Sequence, residues 1–116
     1  MNSKEKGNFG EFLAQKYLEK KGYKIIDKNF STRFGEVDLI AIDGNYIVFI
    51  EVRMRSRSAY EPEESISIHK VKKIIKTAQI FLYKKKINSL NVRFDVISIM
   101  DNKIKHIQNA FDMDFL

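Results

Sequence analysis

The chain has no cysteine, one proline and two histidines among its 116 residues. Without cysteine there are neither disulfides nor thiolate metal sites, and His69 and His106 are too few for a His-rich zinc site. Any metal ion must therefore be held by oxygen. No apolar run approaches the roughly 18 residues of a membrane span, and the stretch from Met1 to Asn8 is polar where a signal peptide would be apolar. A cytoplasmic protein with no membrane partner is expected. Internal repeats, linkers and low-complexity tracts are also missing. The length fits one domain, residues 1–116, burying about two thirds of the surface its unfolded chain exposes.

Acidic residues are the scarcer charge: 15 Asp and Glu against 21 Lys and Arg leave a formal charge of +6 and a pI near 9.5. That balance favours a polyanionic partner, most simply nucleic acid, probed through counterion release and electrostatic steering.

Apolar residues Phe9, Phe12, Leu13, Tyr17 and Leu18 recur at helical spacing, so a first amphipathic helix is expected from Phe9 to Lys21, with Gly22 ending it. Tyr23 to Ile26 reads as a short strand and Asn29 to Phe34 as a polar connection. An apolar β-hairpin follows. Between Met54 and Ser67 periodicity is lost, and a surface loop with a little helix is expected around Arg55, Arg57 and Pro62. A second helix should run from Ser67 to Lys86 on a core stripe of Val71, Ile74, Ile75, Ala78 and Leu82. At 100° per residue Lys72, Lys76, Gln79 and Tyr83 align along its flank. Val92 to Ile99 reads as a strand, and a last extended segment lies near Lys103 to Ile107. This order is α+β or α/β and implies a mixed central sheet with a helix on each face.

The hairpin carries charge where charge is costly. Asp38 stands on one apolar arm, and Glu51 and Arg53 on the other. Facing carboxylates repel unless a cation sits between them. If the hairpin closes at Gly44-Asn45, Asp43 faces Tyr46 and Asp38 faces Glu51; closure at Asp43-Gly44 makes the two carboxylates diagonal neighbours. Either turn keeps Asp38, Glu51 and Arg53 on one face, within roughly 5 to 8 Å of cross-strand neighbours. A divalent ion answers that arrangement. A structural ion pair, with Arg53 neutralising both acids, is the plainer alternative.

These residues also carry a family resemblance. The helix around Glu11 has the pattern G-x-x-x-E-x-x-A-x-x-Y-L-x-x-x-G-Y, followed by R-F-G-E-V-D-L-I-A, V-F-I-E-V-R-x-R, A-Q-x-x-L and R-F-D-V-I. In order, they resemble the motif of the PD-(D/E)XK nuclease superfamily, its Holliday-junction resolvase-like branch, and there the small bacterial YraN-like family, from Gly7 to about Ile99. The resemblance implies a restriction-endonuclease-like core and metal-dependent cleavage of phosphodiesters in structured or branched DNA. It implies that Asp38 and Glu51 bind Mg²⁺ or Mn²⁺, with the Val52 carbonyl completing the site and Glu11 reaching the ion directly or through water. Related resolvases act as homodimers, because two symmetric cuts need two sites, but no segment here declares a dimer interface and the oligomeric state stays open. Gln79 to Tyr83 is similar to the Q-x-x-x-Y helix of RecB-type nucleases, which implies a place for Gln79 near the metal.

One departure stands out. The superfamily motif ends in Lys, whereas this chain has Arg53, which cannot take a proton from water. Arg53 can still hold a phosphate and stabilise developing charge, which leaves base duty to Glu51, Glu11, a migrated lysine such as Lys72, or a second water. A non-catalytic nucleic-acid-binding module with the same fold is the runner-up, and an interaction protein that recruits repair factors is a third reading. Phosphate contacts are expected from Arg33, Arg55, Arg57, Lys72 and Lys76, with Arg53, Arg55 and Arg57 sharing the Glu51 face if the strand continues. Lys84 to Lys86 read as a helix C-terminus, Asp95 as structural, and His69 and His106 as surface histidines.

Overall fold

The computed structural model describes residues 2–55 and 66–115. Asn2 caps the first helix, its side chain accepting from the Glu5 amide at 2.9 Å, and α1 runs Ser3–Lys20. The helix therefore begins well before Phe9, where apolar spacing starts, because a cap rather than burial fixes its origin and its first turns stand in solvent. Its end is a Schellman motif: Tyr23 N donates to Leu18 O and Gly22 N to Glu19 O, both at 3.0 Å, with Gly22 at φ 93°.

Five strands follow: β1 Lys24–Thr32, β2 Gly35–Asp43, β3 Tyr46–Arg55, then helix α2 Ile68–Lys85, β4 Asn91–Met100 and β5 Lys103–Phe111, with a short 3-10 turn at Met113–Phe115. They form one sheet in the order β1-β2-β3-β4-β5. Neighbours are antiparallel except β3 and β4, which run parallel and so need the crossover that contains α2. The mixed sheet flanked by helices is the architecture expected from the element order.

Two expectations need correcting. Asn29 to Phe34 is not a connection, since β1 continues to pair as far as Thr32↔Gly35 and leaves Arg33 and Phe34 as the turn. An edge strand needs only occasional apolar anchors, here Phe30 packed edge-on against Phe81 at 5.1 Å. The last strand likewise runs past Ile107, because Phe111 stacks on Phe94 at 5.0 Å. Met54 and Arg55, expected in the loop from Met54 to Ser67, belong to β3; Arg57 and Pro62 lie outside the described residues.

Each helix covers its own core. Ile47, Phe49 and Phe94 meet Val71, Ile74, Ile75, Ala78 and Phe81 of α2. On the opposite face Val48, Ile50, Ile97 and Ile99 meet Ala14 and Leu18 of α1. Leu82, expected in the α2 stripe, is half-buried at its margin, while Thr77 and Phe81 are fully inside. Ser67 caps α2, accepting from Lys70 N at 3.2 Å. Gly35 lets the helix approach the β1–β2 turn, for a Cβ there would stand 3.2 Å from Lys73 Cβ. Among the described residues no helix is long and apolar enough to cross a membrane.

Candidate metal centre

The hairpin closes at Gly44-Asn45, with Asp43 opposite Tyr46, and the ladder continues to Leu39↔Ile50. One further step would set Asp38 opposite Glu51. The ladder stops there, and the strands fork. The Val52 amide, next in line to point at β2, donates to Asp38 Oδ2 at 2.7 Å rather than to a backbone carbonyl. The fork coincides with a change of face in β2. Val37 packs in the α2 core, yet Leu39, two residues on, packs in the α1 core. Strict alternation would keep the two together. Between the flanking pairs Lys28↔Leu39 and Phe30↔Val37, Asn29 takes φ 52°, a left-handed conformation that Asn adopts more readily than most residues.

This break lets Asp38 meet acids from both sides of the sheet. Carboxylate oxygens of Glu11 on α1, and of Glu36 and Asp38 on β2, lie within 4.8 Å of one another. Glu51 of β3 stands against the Asp38 carboxyl from the other side, in the cleft the two share with Glu36. Its own side chain is only 7% exposed and receives Lys70 Nζ at 2.6 Å from the first turn of α2. Glu51 and Lys70 both line the two adjoining clefts beside α2, one shared with Asp38 and Glu36, the other with Arg53 and Arg55. A separate groove lined by Glu11, Lys28 and Asn29 approaches from the α1 side.

Four carboxyl groups thus gather at this end of the sheet, with Lys70 against Glu51. Burial and then the Glu51 charge push the Asp38 carboxyl up to about 8, against the opposing hydrogen bond from Val52. Burial also raises Glu11, partly offset by its hydrogen bond to Asn29 and reinforced by Glu36 and Glu51. Lys70 loses solvation, which lowers its pKa, but its hydrogen bond to Glu51 together with the Glu51 and Asp38 charges raises it overall. Hard oxygen donors at this spacing suit a Mg²⁺ or Mn²⁺ ion, whose oxygens lie about 2.1 Å from the metal and so about 3 to 4 Å from each other.

Of the residues expected at the site, Glu11, Asp38 and Glu51 come together, and Val52 joins through its amide. Arg53 and Arg55 line the cleft beyond Glu51. Gln79 does not join them: it is exposed on α2, about 13 Å along the helix axis from Lys70 and turned half a revolution away. Lys72 and Lys76 are exposed on the same helix, and Lys76 Nζ and Arg33 Cζ flank the Phe34 ring at 5.1 and 4.9 Å.

Sequence reasoning missed Glu36, Lys70 and Asn29. Glu36 precedes Asp38 by two residues, and that spacing was available as a cue. The choice of Lys70 over Lys72 depends on where Ser67 starts the helix.

A second polar cluster lies on the α1 face and is structural. Asp95, fully buried, accepts from Arg93 Nε at 2.9 Å, Arg93 Nη2 at 3.0 Å and the Asn109 amide at 3.0 Å, and pairs with His106 Nε2 at 2.7 Å. His106 is therefore no surface histidine: its side chain is 4% exposed and stands edge-on to Tyr17 and Tyr23.

Residues 10–99 match the family model described as "Uncharacterised protein family UPF0102". A UPF0102 protein of Persephonella marina is 53% identical over 95% of this chain and 96% of its own length. One from Thermodesulfovibrio yellowstonii is 51% identical over 92% and 96%, and one from Clostridioides difficile 46% identical over 96% and 100%.

Proposed function

Because the chain belongs to the UPF0102 family, whose description names no activity, we propose from the site itself that it is a Mg²⁺- or Mn²⁺-dependent endonuclease acting on structured or branched DNA. The observation that carries the reading is the convergence of Glu11, Glu36 and Asp38 oxygens within 4.8 Å, with Glu51 against Asp38. Carboxylates crowded this closely repel one another unless a cation sits among them. A structural ion pair with Arg53 would need one or two carboxylates, not four gathered from three elements.

Asp38, Glu51, Glu36 and Glu11 would hold the ion. When bound, such an ion supplies Lewis acidity, making a water more acidic and offsetting charge on the phosphate. The chain's own residues do the rest. The Val52 amide fixes the Asp38 rotamer, and Lys70 fixes Glu51 from α2. Arg53, two residues beyond Glu51 in the same cleft, offers a fork of donors to a phosphate and to the charge that grows on it. The PD-(D/E)XK resemblance supports this division of labour, with Asp38 and Glu51 in its acidic positions.

The second reading is a non-catalytic nucleic-acid-binding module, favoured by Arg53 standing where the motif has Lys. Calorimetric titration with Mn²⁺, followed by cleavage of linear, flapped and four-way DNA, separates the two. The endonuclease is expected to bind one or more ions and cut at least one substrate. Ion binding with no cleavage of any of them leaves the binding module.

A further inference from the structure

We propose that the outer face of α2 is a track for an unpaired nucleic-acid strand, with Tyr83 as the platform on which a base stacks; this rests on the nucleic-acid reading above and names the form of nucleic acid that this face takes.

The first observation is charge. Six lysines lie within α2 and no Asp or Glu does, while the chain as a whole exceeds its 15 acids by six basic residues. The whole net charge is therefore matched by one helix. Lys70 stands in its first turn, where the helix dipole favours acids, and Lys72 and Lys73 follow in the second. Lys70 is occupied by Glu51, but among the described residues no carboxylate pairs with Lys72, Lys76 or Lys86.

The second observation is Tyr83. It is 84% exposed, the most exposed large apolar side chain among the described residues. A single exposed aromatic needs no explanation by itself. This one falls in the same 60° stripe as Lys72, Lys76 and Gln79, all exposed, with Lys86 one turn further on. Beside it, Leu82, Ile87 and Asn88 form an open groove. Cations that follow a backbone, interrupted by an exposed flat ring, are the pattern of single-strand binding. From Lys72 to Lys86 the stripe spans about 21 Å, the length of about six stacked nucleotides. A duplex would offer its phosphates to the lysines but has no free base for Tyr83.

The test compares a fluorescein-labelled single-stranded 12-mer with its duplex in EDTA, where nothing is cut. Tyr83→Ala should weaken single-strand binding about 5- to 100-fold, as loss of one stacked base does. It should leave duplex binding within about twofold, and Tyr83→Phe should restore single-strand affinity. Lys76→Gln should weaken both and lower the salt slope by about 0.7 to 0.9. Equal losses on both DNAs, or no loss, in Tyr83→Ala would overturn the proposal while the metal site stands, as judged by Mn²⁺ titration. If the wild type binds neither DNA at low salt, the nucleic-acid reading falls with it. Tyr83-dependent capture by vesicles rich in phosphatidylserine, without DNA binding, would assign the face to a membrane surface and overturn the proposal as well.

Discussion

The carboxylate of Asp38 takes the hydrogen bond of the Val52 amide, at 2.7 Å, where a further rung of the β2–β3 ladder would have used a main-chain carbonyl. One side chain thereby ends the ladder and remains fixed in the fork it opens. The oxygens gathered there are placed by the sheet's own hydrogen bonding rather than by a loop.

Binding of Mn²⁺ should release about one proton per ion at pH 7, measured by calorimetry in buffers of different ionisation enthalpy. Asp38 holds its proton up to about pH 8 in the metal-free fold, and the ligand must be ionised. Affinity should rise about tenfold per pH unit between pH 6 and 8 and then level off. Metal-free stability should move the other way. The folded form binds more protons than the unfolded chain between the ordinary carboxyl value of 3.8 and about 8, so stability falls as pH rises through that window. Asp38→Asn should remove the slope and abolish ion binding.

Glu51→Ala should abolish cleavage while sparing much of the DNA affinity, since the carboxylate serves the ion and the cations serve the phosphates. Arg53→Ala should cut turnover by about 10² if the guanidinium meets transition-state charge. Arg53→Lys should preserve or raise the rate. Single-turnover kinetics against filter-binding isotherms would separate these effects, and loss of binding in Glu51→Ala would contradict the assignment.

Lys70→Ala should tighten Mn²⁺ binding several-fold. The ammonium holds Glu51 Oε2 at 2.6 Å and competes with any second cation for that oxygen. The same variant should lower metal-free stability by about 1 kcal/mol, a charged hydrogen bond discounted for the half-exposed lysine. Thermal melts with and without Mn²⁺ would show the two opposite shifts.

Asp95→Asn should cost about 3 kcal/mol, because it breaks a buried charged network and leaves Arg93 without its partner. His106, Arg93 and the Asn109 amide hold the Asp95 carboxyl below the usual range despite burial, which acts the other way. Its contribution is present above the unfolded value and is lost as pH falls through the folded one. Mn²⁺ affinity should not change, since Arg93 ties this network to Asp43 at the turn end of the hairpin.

Much of this site was legible in the chain. Side-chain parity and a two-residue turn suffice to bring Asp38 and Glu51 together, and Gly44-Asn45 is the turn that forms. Gly22 and Ser67 mark helix ends at the positions where the helices end and begin. What parity could not supply was the break at Asp38 itself. That break depends on Asn29, in a stretch whose polar residues read as connection, and it recruits Glu36 and Glu11. His106 looked superficial because a lone histidine between Lys105 and Ile107 gives no burial signal; Tyr17, Tyr23 and Asp95, brought over it by the fold, bury it.

The ten parallel pairs between β3 and β4 have a kinetic consequence. They can form only after the intervening segment has doubled back, so they come late and at the cost of closing a long loop. Until they form, β3 is an edge with its row of main-chain groups open to other chains. During synthesis the hairpin emerges from the ribosome well before β4 does. The interval in which this protein is vulnerable to aggregation is therefore set by how quickly its last third arrives.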